Sequence, residues 1–186
     1  MIKQVINLDV VDSTQTLAKE MAQNGAAGGT LLIAKKQTAG RGQFERSWDS
    51  QTGGLYFNLI LRPEKAVVHT AALTVKIAEV VREVLEKMYG IKSKIKQPND
   101  VLAWNSAKKE YQKICGILTE SATEGGKTEW VVVGVGINLN NNLNKNLPAT
   151  SVKKLIGREV NIEDFKKEFF ALLAVRHGQW LKSVCV

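Results

Sequence analysis

Leu31-Leu32-Ile33-Ala34-Lys35-Lys36-Gln37-Thr38-Ala39-Gly40-Arg41-Gly42-Gln43-Phe44-Glu45-Arg46-Ser47-Trp48 reads as a buried strand that empties into a loop of two glycines, two arginines and a tryptophan. The loop has an anion-binding composition. Gly40 and Gly42 let backbone N–H groups come close to a ligand, two guanidinium groups can clamp phosphate or carboxylate oxygens, and Trp48 can fold over the top. A surface turn with solvated arginines has the same composition, and this segment alone does not choose between them.

Working outward, residues 3–11 read as a strand, and Asp12-Ser13-Thr14 offers an N-cap to a short helix whose apolar face is Leu17, Ala18 and Met21 and which Gly25 ends. The hydroxyls of Ser13 and Thr14 thus stand where a strand meets a helix N-terminus; capping alone explains them. Residues 30–37 form the strand before the glycine-arginine loop. After Gly53-Gly54, residues 55–61 have the β-branched and aromatic content of a central strand, which Arg62-Pro63 closes. From Ala66 to about Tyr89, Val67, Ala71, Val75, Ala78, Val81, Leu85 and Met88 recur at helical spacing, and Gly90 ends the run.

Residues 91–95 read as a strand running into Lys96-Gln97-Pro98-Asn99-Asp100, where proline stops the ladder and leaves three polar heads at a strand edge. A tight turn would use the same residues, but a lysine and an aspartate flanking it suit phosphate and a divalent cation. Strands follow at residues 101–104 and 113–121. Lys113 opens the second, a buried run with Gly116 three residues on; an ordinary edge lysine is the plain alternative. Gly125-Gly126 makes a hairpin. Gly126-Lys127-Thr128 fails as a phosphate-binding loop because position 121 is Ser. Residues 131–138 are the most strand-like stretch, and Gly134 and Gly136 allow a ligand or another chain close to the backbone. A polar asparagine-rich loop, a short helix to about Ile156 and an amphipathic helix from Ile162 to about Leu181 complete the chain, the last with Phe165, Phe169, Leu172, Leu173 and Trp180 inward.

The 186 residues fit one domain, and 44% hydrophobic with 24% charged residues is a globular composition. No apolar run approaches the ~18 residues of a membrane span, and the N-terminus has no signal-peptide pattern, so a cytoplasmic address and no membrane partner are expected. Cys115 and Cys185 suggest neither a disulfide framework nor a metal cluster; His69 and His177 sit in helical patterns and read as structural. The net charge of +8 calls for an acidic partner. Lysines spread along the chain without a recognition-helix or aromatic RNA-binding signature point to an acidic protein or a phosphorylated small molecule instead of DNA.

Polar groups therefore stand at strand ends in four places, residues 12–14, 37–48, 96–100 with 113–116, and 134–138, and their order is specific. Asp12-Ser13-Thr14, Gln37 through Gly42 with Arg46 and Trp48, Lys96 through Asp100, Lys113 through Glu120, and Gly134-Val135-Gly136-Ile137-Asn138 together resemble the catalytic domain of biotin protein ligases, within the biotin/lipoate ligase superfamily. The resemblance implies an α+β fold with a central mixed, mostly antiparallel sheet flanked by helices, like class II aminoacyl-tRNA synthetases. It implies ATP and Mg²⁺ as cofactors, biotin as substrate, biotinoyl-5′-AMP as intermediate, and an acidic biotin carrier domain, such as that of acetyl-CoA carboxylase, as acceptor.

By that likeness Ser13, Thr14, Gln37, Gly40, Arg41, Gly42, Trp48, Lys113 and Gly116 hold biotin. Arg46, Lys96, Asn99, Asp100 and Asn138 hold the nucleotide, Asp100 binds the metal, and Lys113, Arg46 and Arg41 act in catalysis. The loop is expected to be mobile without ligand and ordered with it. Family members commonly carry arginine where Gln43 stands and glycine where Glu45 stands, so weaker retention of the adenylate is expected. Gln97 replaces the usual tryptophan. A single catalytic domain over residues 1–186 follows, with no N-terminal DNA-binding domain, a C-terminal SH3-like β-barrel absent or very reduced, and a homodimer through a sheet edge compatible with the family. A lipoate or octanoate ligase or transferase on the same fold, and a non-catalytic biotin-binding module, are the alternatives. Cys115, inside a buried strand, reads as packing and not as an acyl-transfer nucleophile.

Overall fold

The computed structural model describes residues 2–44, 46–63, 70–144 and 146–184, with side chains of the last helix described through residue 177. Among the described residues seven strands form one sheet: β1 (Gln4–Val11), β2 (Thr30–Gln37), β3 (Leu55–Leu61), β4 (Ser93–Lys96), β5 (Asp100–Asn105), β6 (Glu110–Glu124) and β7 (Lys127–Ile137). Their order is β1-β2-β3-β7-β6-β5-β4. Only β1 and β2 run parallel and every other pair is antiparallel, which is the mixed, mostly antiparallel sheet expected from the sequence. The helices are α1 (Thr14–Gln23), α2 (Thr70–Tyr89), α3 (Val152–Ile156) and α4 (Ile162–Val184). None of them is long and apolar enough to cross a membrane.

Alternation along the central strands divides the core in two. β3 is buried at every position because both its faces are covered. Phe57 packs against Phe169 and Phe170 of α4 at ring distances of 5.4 and 5.3 Å, within the larger core under α2 and α4. Ile60 points the other way and joins Leu32, Trp130 and Val132 beneath Ala18 and Ala22 of α1. A full-length core side chain such as Leu85 or Phe169 is worth about 2–5 kcal/mol against alanine.

The helix periodicity of α2 is right in kind, and the face it buries is wider than the stripe read off the sequence. In α2 the buried stripe is Leu73, Thr74, Ile77, Ala78, Val80, Val81, Val84 and Leu85; of the positions read off the sequence Ala78, Val81 and Leu85 lie in it, Val75 and Met88 are half-buried and Ala71 is exposed, so the sheet covers a wider face that includes Ile77, Val80 and Val84. Val67 and His69 lie outside the described residues, as do Glu45, Cys185 and the side chain of Trp180. The β6–β7 hairpin turns on Gly125 and Gly126, both at positive φ (56° and 76°), where residues with a Cβ are strained. Since α1 lies mainly over β2, β3 and β7, the neighbouring surface of β5, β6 and β7 is left for the glycine-arginine loop to roof.

Candidate active site

The roof begins at the N-terminus of α1. Ser13 caps the helix by accepting a hydrogen bond from the Thr16 N–H at 3.4 Å. Thr14 donates through both its backbone N–H and its hydroxyl to Gln37 Oε1, each at 2.8 Å. Gln37 Nε2 donates to Ser50 Oγ at 2.7 Å, and Ser50 in turn donates to the Trp48 carbonyl at 3.1 Å. The helix start, the end of β2 and the return of the loop are thereby one buried network. Within the loop, Trp48 N–H donates to Gly40 O (2.8 Å), Gly42 N–H to Arg46 O (2.7 Å), and Arg41 bridges Ser47. The stretch is a small hairpin, with Phe44 at its tip at a φ of 54° and 86% exposed.

The hairpin delivers Trp48 onto a platform with no side chains. Gly116 of β6 and Gly136 of β7 are register partners, and the indole lies across them: a Cβ on Gly116 would sit 2.8 Å from Trp48 Cζ3, and one on Gly136 would overlap the ring at Nε1. Trp48 Nε1 is buried there with no hydrogen-bond partner among the described residues. Lys113 Nζ stands 5.1 Å from the centre of the Trp48 ring and 2.7 Å from Asp100 Oδ1. The pairing with Asp100 is one of charge and not of aligned hydrogen bonding, since Oδ1 is buried without a hydrogen bond of good geometry. A third of the Lys113 side chain remains exposed (33%), which leaves its cation available to a ligand.

Beside the platform lies a polar floor. Asn58 Nδ2 donates to Gln15 Oε1, Gln15 Nε2 donates to Glu120 Oε2 at 2.6 Å, and Lys19 Nζ meets Glu120 Oε1 at 2.7 Å. Burial alone would raise the Glu120 carboxyl, but hydrogen bonds from Lys19 and Gln15 and the charges of Lys19 and Arg41 outweigh it and hold the group below the usual carboxylate range. The Arg41 guanidinium therefore acts on the floor from the roof.

Two cavities meet at Trp48 and Lys113. The first is lined by Thr14, Gln15, Gln37, Arg41, Gly42, Gln43, Asn58, Asn99, Gly116 and the β6 and β7 residues 117, 118 and 134–136. The second, on the other side of the same two side chains, is mostly apolar and is lined by Ser47, Asp49, Asn138, Leu143, Leu147, Pro148 and Ala149. Of the residues singled out in the sequence, Thr14, Gln37, Arg41, Gly42, Trp48, Asn99, Lys113 and Gly116 border the first cavity, Asn138 borders the second, and Asp100 is tied to Lys113.

Ser13, Gly40, Arg46 and Lys96 line neither cavity. Ser13 is the buried helix cap, Gly40 holds the base of the hairpin, and Arg46 and Lys96 are exposed. Gln15, Asn58 and the apolar shelf of Leu143, Leu147 and Pro148 were not singled out, because a lone amide in a helix or strand and scattered leucines in an asparagine-rich loop carry no pattern of their own. Cys115 is fully buried and burial pushes its thiol far up, so it packs and does not ionise. Among the described residues no three His, Cys, Asp or Glu side chains form a metal cluster. A hard cation held by one carboxylate and phosphate oxygens needs no such cluster, and Asp100 Oδ1 is an unaligned acceptor of that kind.

The family model described as the biotin/lipoate A/B protein ligase family matches residues 8–138. The bifunctional ligase/repressor BirA of Bacillus subtilis strain 168 is 40% identical over 166 residues, covering 86% of this chain and 49% of the relative. The biotin–[acetyl-CoA-carboxylase] ligase of Paracoccus denitrificans is 32% identical over 177 residues, covering 91% and 69%. Among solved structures, the biotin protein ligase of Aquifex aeolicus in complex with biotin and ATP superposes with a TM-score of 0.80 at 28% identity, covering 98% of this chain and 74% of that one. The chain spans about half the length of the BirA relatives that it matches.

Proposed function

This chain belongs to the biotin/lipoate A/B protein ligase family, and on that footing we propose that it joins biotin to a lysine of a carrier protein through biotinoyl-5′-AMP. The observation that carries the proposal is the position of Lys113, one cation in the wall shared by two cavities and paired with Asp100 at 2.7 Å. Biotin occupies the first cavity, with its ring toward Thr14, Gln15 and Asn58 and its carboxylate toward Lys113. ATP occupies the second, with its base on the apolar shelf of Leu143, Leu147 and Pro148.

In the first step a biotin carboxylate oxygen attacks the α-phosphorus, and the bond to the pyrophosphate oxygen breaks. Attacker and target are both anionic, so a positive charge between them lowers the barrier most, and Lys113 is placed to supply it. Arg41, whose guanidinium already acts on Glu120 at the floor, adds charge from the roof. In the second step the carrier lysine amine attacks the acyl carbon, AMP departs with the bonding pair, and the amine loses a proton. Asp100, once Lys113 turns to the substrate, is the carboxylate that would hold Mg²⁺, with Asn99 and Asn138 nearby; the ion supplies neutralisation of the leaving pyrophosphate.

The indole of Trp48 lies where an acyl chain would run over Gly116 and Gly136, so biotin binding requires it to turn and then close on the chain, which excludes water from the reactive anhydride. The buried Cys115 argues against a transferase that carries the acyl group on sulfur. Mass spectrometry of a biotin carrier domain incubated with the protein, ATP, Mg²⁺ and biotin tests the proposal. A biotinyl adduct on one lysine is expected. An adduct formed only with lipoate or octanoate, or none at all beside tight biotin binding, would overturn it.

A further inference from the structure

The two edges of the sheet are built differently. At the β1 edge, Val5 and Val10 are exposed (49% and 60%) and Asp9 is neutralised by Lys35 at 2.7 Å. At the β4 edge the chain alternates Ile91, Lys92, Ser93, Lys94, Ile95, Lys96. Ile91 and Ile95 pack into the core under the helices, so the three lysines stand exposed on the opposite face, the one that carries the cavities. Among the described residues none of the three has a carboxylate at ion-pair distance. Lys94 Nζ lies 4.1 Å above the Tyr111 ring, which is itself packed edge-on against Trp104 at 5.1 Å.

Register ties this row to the active site. Lys94 pairs with Leu102 and Leu102 with Lys113, so Lys94 and Lys113 occupy one line across β4, β5 and β6, about 10 Å apart at the usual strand spacing. Charged edge strands also guard sheets against pairing with other chains. That purpose alone does not account for the row, because the β1 edge of the same sheet manages without a cluster of one sign.

We propose that the lysine face of β4, Lys92 and Lys94 with the Trp104–Tyr111 shelf behind them, is the docking surface for the acidic carrier domain. The inference rests on the ligase reading above, since the acceptor lysine must arrive beside Lys113. Like-signed lysines along a line leading there would steer a negatively charged domain and set its register before the amine enters.

The test is Lys92→Glu/Lys94→Glu, assayed two ways: biotin transfer to a purified carrier domain of a biotin-dependent carboxylase, at low and high salt, and pyrophosphate release with hydroxylamine in place of the carrier. The expected result is a KM for the carrier raised about tenfold or more at low salt, a smaller difference at high salt, and hydroxylamine-driven release within about twofold of the unaltered protein. The neutral variant Lys92→Gln/Lys94→Gln should fall between. An unchanged carrier KM would overturn the proposal. So would a parallel fall in both assays, which marks a structural role, or a change confined to retention of a DNA duplex. Absence of pyrophosphate release from the unaltered protein is a separate outcome, which overturns the ligase reading and this inference with it.

Discussion

Gly116 and Gly136 are register partners on adjacent antiparallel strands, and the space their missing side chains leave is filled by the Trp48 indole. A methyl on either would displace the ring, at a cost of about 1–3 kcal/mol if the surroundings hold. Gly136→Ala is expected to raise the KM for biotin about tenfold or more with a smaller effect on the KM for ATP, as read by pyrophosphate release against each substrate. Equal effects on both would mean that Trp48 closes on neither cavity in particular.

Lys113 is the second point of leverage. Replacing it by methionine keeps the stem and removes the cation between the two cavities, and the expected loss in the rate of adenylate formation is about 10²–10³-fold, the range for one preorganised charge-stabilising group. Circular dichroism should show an intact fold, because the ion pair with Asp100 is only partly buried, with 33% and 19% exposure. A variant with the full rate would remove Lys113 from the chemistry.

Gln43 borders the first cavity as a neutral residue. Adding a guanidinium there gives the adenylate phosphate one more charge-assisted partner, worth about 1.5–3 kcal/mol, so Gln43→Arg is expected to slow escape of biotinoyl-AMP about tenfold or more in a filter-retention assay. An unchanged off-rate would mean that position 43 does not face the phosphate.

The floor network sets a pH dependence of stability. Glu120 titrates below its ordinary value of 4.5, since the Lys19 and Gln15 hydrogen bonds with the Lys19 and Arg41 charges outweigh burial. Its folded pKa is lowered, so its contribution is fully present above the unfolded value and is lost as pH falls through the folded one. Urea midpoints measured from about pH 6 down to pH 3 should fall with pH, and Glu120→Gln should flatten the fall below about pH 4.5. Equal slopes for both proteins would show that the network does not persist in solution.

The architecture was legible because its signals are local and repeated. β2 and β3 were read to the residue from apolar runs bounded by glycine and proline, and the hairpin at Gly125-Gly126 from the turn chemistry that positive φ demands. The α2 face was legible in part, at Ala78, Val81 and Leu85; its full width was not, because a helix with valines on several sides leaves the extent of its buried face to be chosen by the sheet it meets. In the candidate site, Lys113 and Asp100 were named as separate motifs and stand in one ion pair. The Gln15–Asn58–Glu120 floor was invisible for a physical reason: a buried amide network is made by register across β3, β6, β7 and α1, and no one of its members differs in sequence from an ordinary surface polar residue.

Biotin-dependent exchange of labelled pyrophosphate into ATP tests the central claim most directly, because it reports the first chemical step without any carrier. The two-cavity site predicts exchange that requires biotin and Mg²⁺ and falls about 10²–10³-fold in Lys113→Met. Exchange that runs equally well without biotin, or that Lys113→Met leaves untouched, would contradict it.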